Sequence, residues 1–148
     1  MSVKWDLRFM ELAKLVSTWS KDPSTQVGAV AVDSRNVIMS TGYNGFPRGV
    51  YDSDENLNNR EEKYPRVIHS ELNCCLFINR MGMIPPFRIY VYPFAPCAGC
   101  MGAIIQAGIT EVITFEASDE LKERWGKSNE IADEMAFQAG VKIRRLVI

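Results

Sequence analysis

The segment RIYVYPFAPCAGCMGAIIQAGITEVITF, residues 88–115, decides the fold class. Its two ends, Arg88–Tyr92 and Glu111–Phe115, are rich in β-branched and aromatic residues and predict buried strands. Between them, residues 93–96 predict a turn, and residues 97–107 predict a helix that is stopped by the following glycine. A strand, a helix and a strand in this order predict parallel strands joined by a crossover, with the helix packed on the sheet.

The rest of the chain extends this alternation in both directions. Apolar periodicity adds helices over residues 5–19, 67–81 and 128–139, and strands over residues 26–32, 37–41 and 141–147. The first two of these strands predict an antiparallel hairpin, and residues 42–65 predict a long polar loop. Gly82 and Gly140 are the expected caps after the last two helices, and Ser128 is the expected cap before the last one. We expect one α/β domain over residues 1–148, a three-layer α/β/α sandwich around a five-stranded mixed sheet.

Two short motifs predict a metal centre: H-S-E, which begins at His69, and P-C-A-G-C, which ends at Cys100. One imidazole with the thiolates of Cys97 and Cys100 makes a three-ligand zinc site, which keeps a fourth position for water as catalytic sites do. The two cysteines lie one helical turn apart, and the positive end of a helix favours their thiolate forms. Glu71 would move protons beside the water rather than bind zinc, and this arrangement is the signature of zinc nucleobase deaminases.

Each part of this pattern has a simpler interpretation when it is taken alone. C-x-x-C is compatible with a redox pair or with half of a structural zinc site. His69, the only histidine of the chain, is compatible with an ordinary core or surface residue. A non-catalytic zinc-binding module is the alternative from a different functional class. The two motifs together, with Glu71 beside the metal, favour a catalytic site.

Length and charge exclude several classes of protein. The 148 residues are 47% hydrophobic, and the net charge of −1 argues against a nucleic-acid polymer as the main ligand, because such ligands require a basic face. The first twenty residues carry several charges and predict no signal peptide. The chain has no run of about 18 apolar residues, so we expect no contact with a membrane. Four cysteines, two of them on zinc, fit a reducing compartment; we expect a cytoplasmic protein, in the host cytosol if it is viral.

Beyond the zinc motifs, the chain resembles the deoxycytidylate (dCMP) deaminase family. The matching stretches are S-K-D-P-S-T-Q-V-G-A from Ser20, S-T-G-Y-N-G-F-P from Ser40, H-S-E-L-N from His69, P-C-A-G-C, and I-I-Q-A-G-I from Ile104. Of these, G-Y-N-G-F-P is the most specific to the family. The resemblance implies a cytidine-deaminase-like fold and zinc-dependent hydrolysis of dCMP to dUMP and ammonia, a reaction that feeds thymidylate synthesis.

The resemblance also implies contacts with the substrate. The predicted contacts are Lys21, Ser24, Thr25, Asn44, Ser70 and Glu71. The asparagine corresponds to a family residue that binds the deoxyribose 3′-hydroxyl, although Asn-Gly is also a common turn dipeptide. The lysine and the two hydroxyl residues lie in the loop expected near the 5′-phosphate, and the hydroxyl residues are alternatively strand caps. The glutamate also reads the base edge through N3.

The resemblance also implies regulation. Members of this family are commonly homohexamers that nucleotides control. They are activated by dCTP with Mg²⁺ and inhibited by dTTP, which bind near subunit interfaces. The residues that match the effector region are Asn44, Gly45, Phe46, Arg48, Phe77 and Arg80. Alternatively, Phe77 is a core residue and Arg80 a solvated helix end.

The chain departs from the family pattern in two places. Ser70 replaces the usual alanine, and Cys74-Cys75 replaces Ala-Ile. We interpret the two cysteines as small buried residues and expect one zinc ion per chain, because no second histidine remains. The alternative activities of this fold are those of transfer-RNA and free-nucleoside deaminases. The G-Y-N-G-F-P motif argues against the first, and His69, where free-cytidine deaminases usually carry cysteine, argues against the second.

Overall fold

In the computed structural model, which describes residues 3–78 and 84–147, helices cover both faces of a five-stranded sheet. The helices are α1 (Val3–Ser17), α2 (Asp54–Asn58), α3 (Arg60–Lys63), α4 (Ser70–Ile78), α5 (Ala98–Gln106) and α6 (Asp119–Ala139). The strands are β1 (Gly28–Val32), β2 (Ile38–Tyr43), β3 (Arg88–Tyr92), β4 (Glu111–Phe115) and β5 (Lys142–Leu146). Within the described residues, no helix has both the length and the apolar character that a membrane span requires.

The sheet is mixed, with the strand order β2-β1-β3-β4-β5. β1 lies antiparallel to both β2 and β3, whereas β3, β4 and β5 run parallel to one another. The predicted hairpin, the predicted parallel crossover and the five-stranded mixed sheet are therefore confirmed. β3 and β4 have the predicted bounds, because each is a short apolar run that turn residues delimit on both sides.

Apolar side chains form a separate core on each face of the sheet. On one face, Phe9 and Ala13 of α1 join the inward-facing Tyr90 of β3. On the other face, α4, α5 and α6 together cover the sheet, with Ile104 and Val91 in the same cluster. Alternate residues of β3 thus face opposite cores, as expected for a strand buried on both sides. The three-layer α/β/α sandwich is confirmed.

Gly42 brings β2 very close to α4. A Cβ atom at this position would lie 2.4 Å from the carbonyl oxygen of Ser70 and 2.5 Å from the backbone nitrogen of Cys74, so a larger residue would displace the helix. Nearby, Ser40 Oγ donates a hydrogen bond of 2.8 Å to the carbonyl oxygen of Cys74. The G-Y-N-G segment therefore holds the N-terminal end of α4 against the sheet.

Residues 42–65, which the sequence predicts as a loop, contain the end of β2 and two short helices. Ser53 caps α2 by accepting a hydrogen bond from the backbone N–H of Asn56, and Asn59 caps α3 by accepting one from Glu61. Both caps follow the preference for short polar side chains at helix starts. Helices of five and four residues contain too few positions for an apolar period to be recognised.

The last helix begins at Asp119, well before Ser128, and Ser118 is its cap. The prediction that Ser128 caps this helix is therefore wrong. Residues 119–127 are mostly charged, so their helical conformation left a weak apolar signal in the sequence. The predicted end of the helix is confirmed, because Gly140 follows it in the left-handed conformation with φ of 77°.

α4 begins at Ser70 rather than at residue 67. Ile68 forms an antiparallel bridge with Gly45, and this pairing keeps the chain extended up to the start of the helix. The predicted end of this helix at residue 81 and the predicted cap Gly82 lie outside the described residues.

Candidate active site

The starts of α4 and α5 meet at one edge of the sheet. His69 directly precedes α4, and its carbonyl oxygen accepts the hydrogen bond of Asn73 N–H at 3.0 Å. Cys97 is the N-cap of α5, and its carbonyl oxygen accepts the hydrogen bond of Met101 N–H at 2.9 Å. The preceding strands, β2 and β3, point in the same direction because both lie antiparallel to β1. The two motifs thus lie together, as clefts in α/β folds do at the carboxyl ends of strands.

The three predicted ligand residues form one cluster. Nδ1 of His69 lies 3.5 Å from Sγ of Cys97 and 3.4 Å from Sγ of Cys100. All three ligand atoms lie within 4.8 Å of one another. Tetrahedral zinc, with Zn–N and Zn–S bonds of about 2.0 and 2.3 Å, separates nitrogen from sulfur by about 3.5 Å. The donor types and their spacing therefore fit a zinc ion, with Nδ1 as the histidine ligand.

The environment of Cys97 favours its thiolate. Hydrogen bonds from Cys100 and from His69 outweigh the effect of burial and lower the pKa of Cys97 to about 4. The pKa of Cys100 shifts in the opposite direction, because its thiol donates to the Cys97 sulfur. The pKa of His69 is raised, chiefly by its hydrogen bond with Cys97. A thiolate at the start of a helix is a strong ligand for zinc.

Glu71 is the second residue of α4 and lies beside this cluster. Its side chain is only 5% exposed, and burial raises the pKa of the carboxyl. The hydroxyl of Ser70 donates a hydrogen bond to Oε1 of Glu71, which favours the ionised form and opposes this shift. A carboxyl group whose pKa is raised toward neutrality can both accept and release a proton.

A cavity of about 200 Å³ opens in front of the cluster. Of the predicted substrate residues, five contribute to its wall: Ser24, Thr25, Asn44, Ser70 and Glu71. Lys21 does not line this cavity. Its ammonium group instead pairs with Asp52 at 3.0 Å, and its side chain is largely exposed beside a second, smaller cavity. The structure therefore places Lys21 outside the cavity that the other predicted substrate contacts line.

Asn44 is buried and its amide is bound by the neighbouring loop. Oδ1 accepts a hydrogen bond of 2.9 Å from Val27 N–H, and Nδ2 donates one of 2.9 Å to the carbonyl oxygen of Thr25. In the same loop, Asp22 Oδ1 accepts from the N–H groups of Ser24 and Thr25. Asn44 thus fixes the loop that lines the cavity, and its contact with a sugar hydroxyl stays a prediction.

The cavity wall includes residues that the sequence did not single out. Three are cations and three are aromatic: Arg60, Lys63, Arg124, Tyr64, Phe94 and Trp125. Lys63 is buried and pairs with Asp22 at 3.3 Å, whereas the two arginines are exposed. The arginines come from α3 and from the first half of α6, which are two of the helical segments that the sequence pattern missed. Recognising a helix over residues 119–127 would have placed Arg124 near the wall.

Three of the predicted effector residues line a second cavity next to the first. Asn44, Gly45 and Phe46 line the second cavity, which has a volume of about 160 Å³. The guanidinium group of Arg48 lies 5.5 Å from the centre of the Phe77 ring, so these two residues are neighbours. Arg80 lies outside the described residues.

Cys74 and Cys75 are buried in α4, away from the ligand cluster. Burial raises the pKa of both thiols, to about 11 for Cys75. Sγ of Cys74 donates to the carbonyl oxygen of Ser40 at 3.6 Å, which ties α4 to β2. Among the residues that the structure describes, neither cysteine joins a group of metal ligands.

Comparison with known proteins agrees with this arrangement. The family model of the cytidine and deoxycytidylate deaminase zinc-binding region matches residues 3–116. A protein of Aliivibrio fischeri named "Uncharacterized deaminase in luxG 3'region" is 43% identical over 143 residues, which cover 97% of this chain and 94% of that protein. The deoxycytidylate deaminase of Homo sapiens is 38% identical over 154 residues, with 98% of this chain and 81% of that protein covered.

A solved structure has the same fold. The dCMP deaminase of cyanophage S-TIM5, in complex with dCMP and dUMP, superposes with a TM-score of 0.77. The two chains are 22% identical, and 99% of each is covered. The likeness confirms the predicted cytidine-deaminase-like architecture.

Proposed function

Because the chain belongs to the cytidine and deoxycytidylate deaminase family, we propose that it hydrolyses dCMP to dUMP and ammonia. The observation that carries this proposal is a cavity beside the cluster of three metal-ligand residues, with His69, Cys97, a buried carboxyl group and exposed arginines in its wall. In this proposal residues 1–148 act as one deaminase domain. His69, Cys97 and Cys100 hold one zinc ion per chain.

The chemistry divides between the metal and Glu71. A zinc ion held by the three ligands would supply an activated water, since zinc lowers the pKa of bound water to about 7. Glu71 would accept a proton from the attacking water and deliver it to ring nitrogen N3 of the base. The carboxyl then carries the second proton to the departing amine, which leaves as ammonia. Burial of Glu71 supports this role, because a raised pKa suits a group that must repeatedly take and release a proton.

The exposed arginines at the cavity support a nucleotide rather than a nucleoside as substrate. We assign the 5′-phosphate to Arg60 and Arg124, because both residues line the cavity and a guanidinium group can bind phosphate through two parallel hydrogen bonds. Lys63 is already paired with the buried Asp22, and Lys21 is paired with Asp52, so neither is the first choice. Ser24 and Thr25 line the same cavity and remain predicted phosphate contacts.

Matched substitutions test the phosphate assignment. Arg60→Gln and Arg124→Gln should each raise KM for dCMP by roughly 10-fold or more, in keeping with about 1.5–3 kcal/mol for a charged hydrogen bond. Turnover of deoxycytidine, which carries no phosphate, should be unchanged. Arg66→Gln is the control, because Arg66 is nearby in sequence and pairs with Glu62 but does not line the cavity. Equal effects on dCMP and deoxycytidine would contradict the assignment.

Control by nucleotides is the second part of the proposal. We propose that dCTP with Mg²⁺ activates the enzyme and dTTP inhibits it, in a homohexamer. The second cavity supports this, because it adjoins the first through the shared residues Asp22, Asn44 and Val67. Leu76 of α4, half exposed, offers an apolar contact for another subunit near the Arg48–Phe77 pair.

The decisive experiment follows deamination by ultraviolet absorption with zinc-loaded protein. The substrates are dCMP, CMP, deoxycytidine and a transfer-RNA anticodon stem, each with and without dCTP–Mg²⁺ or dTTP. Turnover of dCMP far above that of the other three substrates, raised by dCTP and suppressed by dTTP, is the expected result. Turnover of dCMP that ignores both effectors would remove the regulatory part only. Turnover of the RNA stem alone, or of no substrate, would overturn the proposed activity.

A further inference from the structure

The first turn of α5 receives no cap from its own N-cap residue. Cys97 occupies the N-cap position but makes no side-chain capping hydrogen bond. Its Sγ faces Nδ1 of His69 instead, at 3.5 Å. Side chains at this position normally accept hydrogen bonds from the free N–H groups of the first helical turn. A metal ligand at the N-cap therefore leaves this task to another part of the chain.

Ser128 of α6 performs part of this task from outside the helix. Its Oγ accepts a hydrogen bond of 3.1 Å from the backbone N–H of Ala98, the first residue of α5. The serine is half-buried and lies within α6, so its hydroxyl is not used at the start of its own helix. The two helices also pack against each other further along, where Met135 Cε lies 3.6 Å from a Cβ placed on Gly102.

We propose that Ser128 is a positioning residue for the zinc centre. The hydrogen bond from Ala98 N–H to Ser128 fixes the backbone next to Cys97. It thereby fixes the direction in which the Cys97 sulfur faces the metal. Ser128 has this role only if His69 and the two cysteines bind zinc as proposed above. Outer groups that orient the ligands of a metal site commonly determine its affinity.

The position of α6 extends the consequence to the substrate cavity. Leu121, Arg124 and Asn129 of this helix line the cavity, and Asn129 directly follows Ser128. One helix thus contributes to the cavity wall and also holds the first turn that carries two zinc ligands. A substrate that contacts α6 should therefore slow the loss of zinc.

The test compares zinc release from four variants with that from the wild-type protein. Ser128→Ala removes the hydrogen-bond acceptor, and Ser118→Ala is the matched control, since Ser118 caps α6 itself through Leu121 N–H. Ser128→Thr and Ser128→Val have similar shapes but differ in the hydroxyl group. Each zinc-loaded protein is mixed with a chromogenic chelator, and cobalt-substituted protein reports ligand geometry by its absorption bands.

We expect zinc release to be about 10-fold faster in Ser128→Ala and Ser128→Val, which is the lower end for outer partners of metal ligands. Ser128→Thr and Ser118→Ala should stay close to the wild type, and the cobalt bands should shift only where the hydroxyl is lost. If Ser128→Ala does not fold, the threonine and valine pair makes the same comparison.

Two results would overturn the role of Ser128. The first is a zinc-release rate in Ser128→Val that equals the wild-type rate. The second is an equal increase of this rate in Ser118→Ala, which would indicate that α6 is weakened generally. Either result, with dCMP still turned over by the wild type, leaves the proposed function in place. A wild-type protein that binds no zinc would overturn both.

Discussion

Two clusters of ionisable groups lie on opposite faces of the sheet, and they differ in what completes them. The α1 cluster consists of Asp6, Tyr90, Glu111 and Arg144. Asp6 accepts a hydrogen bond of 2.7 Å from Tyr90 Oη and two from the Arg144 guanidinium, at 2.8 and 3.1 Å. The same guanidinium also binds the carboxylate of Glu111. Every charge in this cluster thus meets an opposite charge from the chain itself.

The zinc-site cluster, which consists of His69, Glu71, Cys97 and Cys100, is completed in a different way. Its nitrogen and sulfur ligand atoms face one another within 4.8 Å, and all of them are electron-pair donors to a metal. The buried carboxyl of Glu71 accepts a hydrogen bond from the hydroxyl of Ser70, and Glu71 lines the cavity. In the proposed function, a cation and a substrate complete this cluster from outside.

The difference separates groups that hold the fold from groups that perform the reaction. A charge that is paired within the chain contributes to stability, because its removal leaves the partner buried and unpaired. Groups that have no such partner until a ligand binds lower the stability of the folded protein, and they serve the reaction instead. Changes in the α1 cluster should therefore alter unfolding, and changes at Glu71 should alter turnover.

The largest effect is expected for Glu71→Gln. The substitution keeps the size of the side chain but removes the proton carrier, so kcat for dCMP should fall by about 1,000-fold or more, within the range for general acid–base groups. Zinc content and the free energy of unfolding should remain near wild type, because no ligand and no paired charge is lost. Steady-state kinetics, metal analysis and urea unfolding measure the three quantities. Residual activity above a tenth of wild type would contradict the role of Glu71.

Removal of zinc should affect both turnover and stability. A ligand that binds only the folded state stabilises it by about 4 kcal/mol at a free concentration 1,000 times its Kd. Chelation should therefore abolish turnover and lower the melting temperature, and added zinc should restore both. In Cys97→Ala the melting temperature should no longer respond to zinc. A wild-type melting temperature that is indifferent to chelator would contradict the site.

The sequence predicted the zinc-site cluster, whereas the α1 cluster could not be found in it. The H-x-E and P-C-x-x-C motifs bring their chemistry within a few residues, and a helix start fixes the local geometry. Asp6 and Arg144 lie at opposite ends of the chain, so their pairing depends on α1 packing over β1 and β3 and on β5 joining the same sheet. No local pattern contains such a contact.

The same limit explains the cavity wall. Lys21 was predicted as a phosphate contact because the resemblance places its loop near the 5′-phosphate; in the structure its side chain pairs with Asp52 and does not line the cavity. Arg60 and Arg124 reach the cavity from two distant helices whose short or charged sequences lack an apolar period. Short motifs were informative because their function requires close spacing, whereas a phosphate can be bound by residues from anywhere in the chain.

Asp6→Asn should destabilise the fold without changing the chemistry. Asp6 is 1% exposed, and breaking a buried ion pair from one side costs up to about 3–5 kcal/mol, because Arg144 loses one of its two carboxylate partners. The matched control is Asp133→Asn, which breaks the exposed pair with Arg145 and should cost about 0.2–1 kcal/mol. Urea unfolding measures both, and kcat well below the melting temperature should be unchanged. Equal destabilisation by the two variants would remove the distinction between the clusters.

The smallest expected effect is the pH dependence of the difference in unfolding free energy between wild type and Asp6→Asn. Burial alone would raise the pKa of Asp6, but hydrogen bonds from Arg144 and Tyr90 outweigh it and lower the pKa below the ordinary value. The stability that the ionised carboxylate contributes is complete above the unfolded pKa of about 3.9 and is lost as the pH falls through the lower, folded pKa. The gap in unfolding free energy between wild type and Asp6→Asn should thus stay constant between about pH 7 and pH 5 and narrow below about pH 4. The gap for Asp133→Asn should stay small throughout, and a gap for Asp6→Asn that widens on acidification would show that the carboxylate is not stabilised by Arg144.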